Sequence, residues 1–204
     1  MPKETIKYTI RQDGKVSQEV VNVPGAACID LTEDIEVKLG DLEQRVYTAD
    51  YYQQNVNLDQ TLQSTRIPMS HFSTIKTKLE DRDALLEALE RVGERPNVPW
   101  KGTSVIELVL LNPAHAEDHT TVEVDISIGV DIGFKLNEST GTYELIADRQ
   151  TWDKDVPIER FMEKVTQQYA RMLIHREVKE KGFEIEEEWE MDNNSIELTV
   201  SRWT

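Results

Sequence analysis

Eight apolar residues of one parity run from Val122 to Leu136: Val122, Val124, Ile126, Ile128, Val130, Ile132, Phe134 and Leu136. Glu123, Asp125 and Asp131 stand on the other parity. A period of two sends successive side chains to opposite faces of an extended backbone. The stretch therefore commits the middle of the chain to sheet with one wet face, as one long bent strand or as two strands meeting near Gly129.

The same period opens and closes the chain. Ile6, Tyr8 and Ile10 alternate with polar residues, Asp13-Gly14 predicts a two-residue hairpin turn, and Val16, Gln18 and Val20 return. Past Pro24-Gly25, the spacing of Cys28, Leu31, Ile35 and Leu39 is that of one helix stripe, closed by Gly40, with a short strand around Val46. After a Gln- and Asn-rich stretch, Met69 to about Leu79 predicts a strand. Asp83 is placed to cap a helix carrying Leu85, Leu86, Leu89 and Val92, and Ser104 to Leu111 predicts another strand. Asn137 to Gly141 reads as a turn before a strand over Tyr143 to Ala147. Pro157 opens the strongest helix, with Ile158, Phe161, Met162, Val165, Tyr169 and Met172 or Leu173 on its stripe and Gly182 at its end. A last hairpin turns at Asn193-Asn194. Phe183, Ile185, Trp189 and Met191 are expected on one of its faces, with Glu184, Glu186, Glu188 and Glu190 on the other. The fold class is α+β: mostly antiparallel sheet with two main helices in a larger module, 69–204, preceded by a linker or extended arm, 51–68, and a small strand–strand–helix module, 1–50.

Charge narrows the function. Lys plus Arg is 23 and Asp plus Glu is 39, a net −16. Up to Ser64 there are 6 basic and 11 acidic residues, and beyond it 17 and 28, so the acidity is spread along the chain. A field of that sign repels phosphate backbones and anionic lipid, which argues against nucleic-acid and membrane-surface partners. The start of the chain shows no apolar signal segment, and the longest nearly apolar run, Val105 to Leu111, is too short to span a bilayer. One cysteine, Cys28, excludes an internal disulfide and fits a reducing compartment, the cytosol or a plastid stroma.

The segment Met69-Ser70-His71-Phe72-Ser73-Thr74-Ile75-Lys76-Thr77 resembles the start of the hypothetical chloroplast reading frame 35 proteins, domain-of-unknown-function family 1257. Asp131-Ile132-Gly133-Phe134, Tyr143 to Asp148, Gln168-Tyr169-Ala170 and Ser201-Arg202-Trp203 follow that family in the same order, while Glu94 to Thr120 depart from it. Thr5-Ile6, Asp13-Gly14, Pro24 to Cys28, Leu39-Gly40 and Tyr51-Tyr52 resemble a second family of unknown function, numbered 2997. The resemblance implies a fusion of two modules. Genes of these families stand near those of an AAA-type ATPase and a small ferredoxin, which implies a shared complex or pathway.

Candidate chemistry is sparse. His115, Glu117 and His119 could hold a divalent metal, although Pro113 favours a surface loop. Cys28, ahead of a helix, could be a redox thiol, although its place on the apolar stripe favours packing. His71, Asp131 and Asp148 could form an acid–base site near the module junction. There is no phosphate-binding loop, no Cys-x-x-Cys pair and no nucleophile elbow, and no cofactor is expected. The expected function is a non-enzymatic interaction or accessory subunit working with an AAA-type ATPase or a ferredoxin-type partner, with a homo-oligomer left open. The alternative is a small enzyme with an acid–base or metal site where the modules meet. Residues 1–64 alone should fold poorly, since a unit of that size buries too little surface.

Overall fold

The computed structural model describes residues 3–21, 23, 27–47, 69–99, 106–111, 119–147 and 152–203. Two compact units divide the chain, Met1–Thr77 with Ala170–Thr204, and Lys78–Tyr169. The fold is α+β and every ladder among the described residues is antiparallel.

The first unit is built on a six-stranded sheet. Its elements are β1 (Lys3–Ile10), β2 (Val16–Val21), α1 (Ala27–Leu39), β3 (Gly40–Tyr47) and β4 (Met69–Thr77), joined by two strands from the far end of the chain. Numbered in chain order, those are β10 (Glu184–Glu190) and β11 (Ile196–Trp203), and the sheet order is β10-β11-β1-β2-β4-β3. The N-terminal hairpin thus sits between β11 and β4. Packing and sequence resemblance divide the chain at different places, because β1 finds its partner in β11, at the far end of the sequence, and β2 finds its partner in β4.

Alternation does what it promised in β1 and β2. Ile6, Tyr8, Ile10, Val16, Gln18 and Val20 are all buried, and so are Cys28, Leu31, Ile35 and Leu39 on the α1 stripe. The turn between the strands differs from expectation. Gly14 N–H donates to Arg11 O and Arg11 N–H to Lys15 O, closing a three-residue loop in which Gly14 alone takes positive φ, 82°. This is a type I turn followed by a left-handed residue. The closing hairpin repeats it, with Asn194 N–H on Met191 O, Met191 N–H on Ser195 O, and Asn194 at φ 57°.

Two edge strands carry bulges. Register slips between Leu42 and Gln44 in β3 and between Ile185 and Glu187 in β10. One extra residue inverts the parity of everything beyond it. The four alternating glutamates of β10 therefore do not share a face. Glu184 pairs with Ser201 on the open side, while Glu188 pairs with Leu198 on the side that bears the helices. Ile185 and Trp189 are likewise parted, pairing with Val200 and Glu197.

The second unit holds α2 (Arg82–Arg91), the ribbon of β5 (Ile106–Leu111) with β6 (His119–Val124), and the meander of β7 (Ile126–Ser127), β8 (Ile132–Asn137) and β9 (Thr142–Ala147). Asp81, not Asp83, caps α2, its carboxylate accepting from Ala84 N–H at 2.8 Å. The long alternation breaks at 128–131: Val124, Ile126, Ile132 and Phe134 are buried, but Val130 is 86% exposed in the bend beside Gly129. The helix α3 (Ile158–Glu180) begins in this unit, and from Ala170 onward its residues belong to the first unit. Tyr169, buried on the stripe, accepts from Glu80 N–H at 3.1 Å and Asp81 N–H at 2.9 Å.

Candidate functional site

Directly opposed residues in an antiparallel ladder lie on the same face. In the first unit one such row crosses all six strands: Glu188, Leu198, Tyr8, Gln18, Ser73 and Arg45. Five of its six members are polar. The neighbouring row, Ile196–Ile10–Val16–Ile75, is apolar and buried, as expected beneath helices. Polar groups in such a place must find partners.

At one end they do so on α1. Glu36 is buried, and its carboxylate accepts from the Arg45 guanidinium, from the Gln18 amide and, at 3.3 Å, from Thr32 Oγ1. Arg45 Nε reaches Ser73 Oγ at 3.4 Å. Burial works against the charge on Arg45, but hydrogen bonding to Tyr47 and the charge of Glu36 outweigh it and raise its pKa. At the other end Glu188 accepts from Arg171 Nε at 2.6 Å and lies 3.1 Å from His175 Nε2, both on α3. Partial burial works against its charge, but Arg171 and His175 outweigh it and hold the Glu188 carboxyl below the usual range. Between the ends lie two atoms with no hydrogen-bond partner among the described residues, Tyr8 Oη and Gln18 Oε1. Burial, then the charge of Glu36, pushes the Tyr8 phenol pKa far up.

Two further ion pairs join α1 to the end of α3 and the residue just after it, Lys38 Nζ to Glu177 Oε2 at 2.5 Å and Asp34 Oδ2 to Lys181 Nζ at 2.9 Å. The row is closed and largely paired. Such an arrangement fixes the registry of strands and helices.

His71 belongs to β4, where its register partners are Val20 and Tyr47, whereas Asp131 precedes β8 in the second unit. Asp148, His115 and Glu117 lie outside the described residues, and His119 opens β6. Among the described residues no group of three or more His, Cys, Asp or Glu is placed to hold a metal. Cys28 is buried and forms no disulfide. The polar row itself was missed. Its signal was Gln18, a polar residue in the buried parity of Val16 and Val20, with Glu36 beside Ile35 on the helix that follows.

The open face of the same sheet is different. Glu187, Thr199, Lys7, Glu19, Phe72 and Val46 form one row there. Phe72 is 39% exposed and Val46 46%, and Trp189 and Trp203 stand exposed on that face as well.

The family model "Protein of unknown function (DUF1257)" matches residues 112–199, and "Protein of unknown function (DUF2997)" matches residues 6–52. "Uncharacterized protein ycf35" of Pyropia yezoensis is 33% identical over 141 residues, which is 66% of this chain and 98% of that protein. The chain belongs to the ycf35 family. The ycf35 protein of Cyanophora paradoxa is 35% identical over 137 residues, with the same coverage of both chains, and that of Guillardia theta is 32% identical over 135. No solved structure matches. No helix among the described residues is long and apolar enough to cross a membrane.

Proposed function

We propose that this ycf35-family protein is a non-enzymatic accessory subunit that binds a protein partner on the open face of its six-stranded sheet. The observation that carries the reading is the pairing of two exposed apolar residues, Val46 and Phe72, in one open-face row that also holds Lys7, Glu19 and Glu187. Apolar anchors among charged neighbours are the composition of a binding patch. The edges are less suited to docking. Each bulged edge strand carries a glutamate tied to a lysine, Glu43 to Lys15 at 2.8 Å and Glu186 to Lys3 at 2.6 Å, a device that discourages strand addition. The partner is an AAA-type ATPase or a ferredoxin-type protein, and the setting is the cytoplasm or a plastid stroma.

Titration of the intact chain with the ATPase and the ferredoxin-type protein of its host, read by tryptophan fluorescence, tests this. One of them is expected to bind and to perturb Trp189 or Trp203. Val46→Thr with Phe72→Thr should weaken that binding at least about tenfold, 1.4 kcal/mol, with the melting temperature little changed. The proposal fails if neither protein binds near millimolar concentration, or if the double variant binds as the parent does.

A further inference from the structure

We infer that the N-terminal segment is a detachable strand donor: residues 3–47 and the chain from Met69 onward are two halves of one sheet, and their association does not depend on the covalent link between them. The surface concerned is made of the free sides of β11 and β4 with the second half of α3. The partner that fits it is a polypeptide of the strand–strand–helix family matched by residues 6–52.

The sheet order carries the argument. Two strands of the N-terminal segment, β1 and β2, stand between β11 and β4, so without that segment no ladder of this sheet joins β4 to the β10–β11 hairpin. Eight residue pairs join β1 to β11, and six join β2 to β4. An unpaired strand side exposes a row of donors and acceptors; without the N-terminal segment β11 would present one such side, and β4, which pairs with both β2 and β3, would present two. The junction is also apolar. Ile6, Tyr8, Ile10, Val16 and Val20 on one side, and Ile75, Leu198 and Val200 on the other, are almost wholly removed from solvent. Among the described residues four ion pairs cross it: Lys3–Glu186, Glu4–Arg202, Asp34–Lys181 and Lys38–Glu177. Interfaces that resemble a divided core in this way belong to obligate complexes rather than to tethered neighbours.

The relatives supply the second half of the reasoning. Those from Pyropia yezoensis and Cyanophora paradoxa use 98% of their own length to match 66% of this chain. The segment from Met69 to Thr204 is 136 of 204 residues, the same share. The share of this chain left unmatched is thus the size of residues 1–68, which contain the strand donor, and the donor matches a family model of its own. In this chain the donor is supplied in cis, and the same contacts would serve a separate chain equally well. Joining the two raises their effective concentration without adding a contact.

The test keeps the protein whole until it has folded. A protease site flanked by glycine and serine, which stay accessible, is inserted between Leu58 and Asp59 of the full chain, and the purified protein is then cut. The two pieces are expected to co-elute as one species. Melting, independent of concentration before the cut, should rise with protein concentration after it, as association requires. Lys38→Glu or Glu177→Lys alone should make the cut pieces dissociate at lower dilution, and the two together should restore the association. Pieces that separate on cutting at micromolar concentration overturn the inference. So does a large piece that elutes alone with its melting unchanged.

Discussion

The two ends of the polar row solve one problem with opposite means. Both place a glutamate opposite an arginine on the helix-bearing side of the sheet. Glu36 is 4% exposed and Arg45 18%, and the Gln18 amide and the Thr32 hydroxyl complete the site. Glu188 is 18% exposed and its partners Arg171 and His175 are 26% and 27% exposed, so water shares the work. The first end lies almost wholly in the N-terminal segment, and the second lies wholly in the C-terminal one. A buried ion pair returns little beyond its desolvation cost, but losing one partner is expensive. A pair open to water is worth little and costs little to lose. The Glu36 end therefore acts as a lock on strand registry, and the Glu188 end as an adjustable clasp.

The largest expected effect separates them directly. Glu36→Ala should cost about 3 kcal/mol, because the Arg45 guanidinium and the Gln18 amide lose their acceptor in a dry site. Glu188→Ala should cost under about 1 kcal/mol. Urea unfolding midpoints of the two variants measure the difference, and equal losses would break the comparison.

A smaller effect of opposite sign belongs to the middle of the row. Tyr8 Oη is buried with no hydrogen-bond partner among the described residues. Tyr8→Phe should stabilise the protein by about 1 kcal/mol, since an unpaired buried hydroxyl is worse than none. A loss of similar size would show that the hydroxyl is hydrogen-bonded in solution. Because the folded phenol is pushed up, its contribution is intact below the ordinary tyrosine value of about 10 and lost as pH rises beyond it. The variant should therefore lose less stability in alkali than the parent.

The smallest effect lies on the acid side. The Glu188 carboxyl is held down in the folded state, so its stabilisation is present above the ordinary glutamate value of about 4.3 and fades as pH falls through the lower folded value. Glu188→Gln should remove that part of the acid slope, with a change in stability at neutral pH under about 1 kcal/mol after allowance for its exposure. Thermal melts of both proteins over falling pH measure it, and parallel acid limbs would mean that the clasp is not ionised in the way described.

Much of this was legible in the sequence, and for a local reason. Period two and period 3.6 are set by backbone geometry, so β1, β2, α1, α3 and their buried stripes followed from residue order alone. The ends of elements were less secure: Asp81 rather than Asp83 caps α2, and Gly14 closes a three-residue loop rather than a two-residue one. The bulge at Glu186 defeated the alternation of β10, because parity survives only while register does.

What sequence order determined, then, was which stretches are strand or helix and which side of each is apolar. Tertiary structure alone decided that the first hairpin lies between β11 and β4, and that Tyr8, Gln18, Ser73, Arg45 and Glu188, scattered over 181 residue positions from 8 to 188, stand in one row. The physical reason is that strand pairing is non-local. Any exposed strand side satisfies the same backbone hydrogen bonds, and the choice among them is made by the apolar surface, bulges and buried charges that meet only once the sheet is assembled.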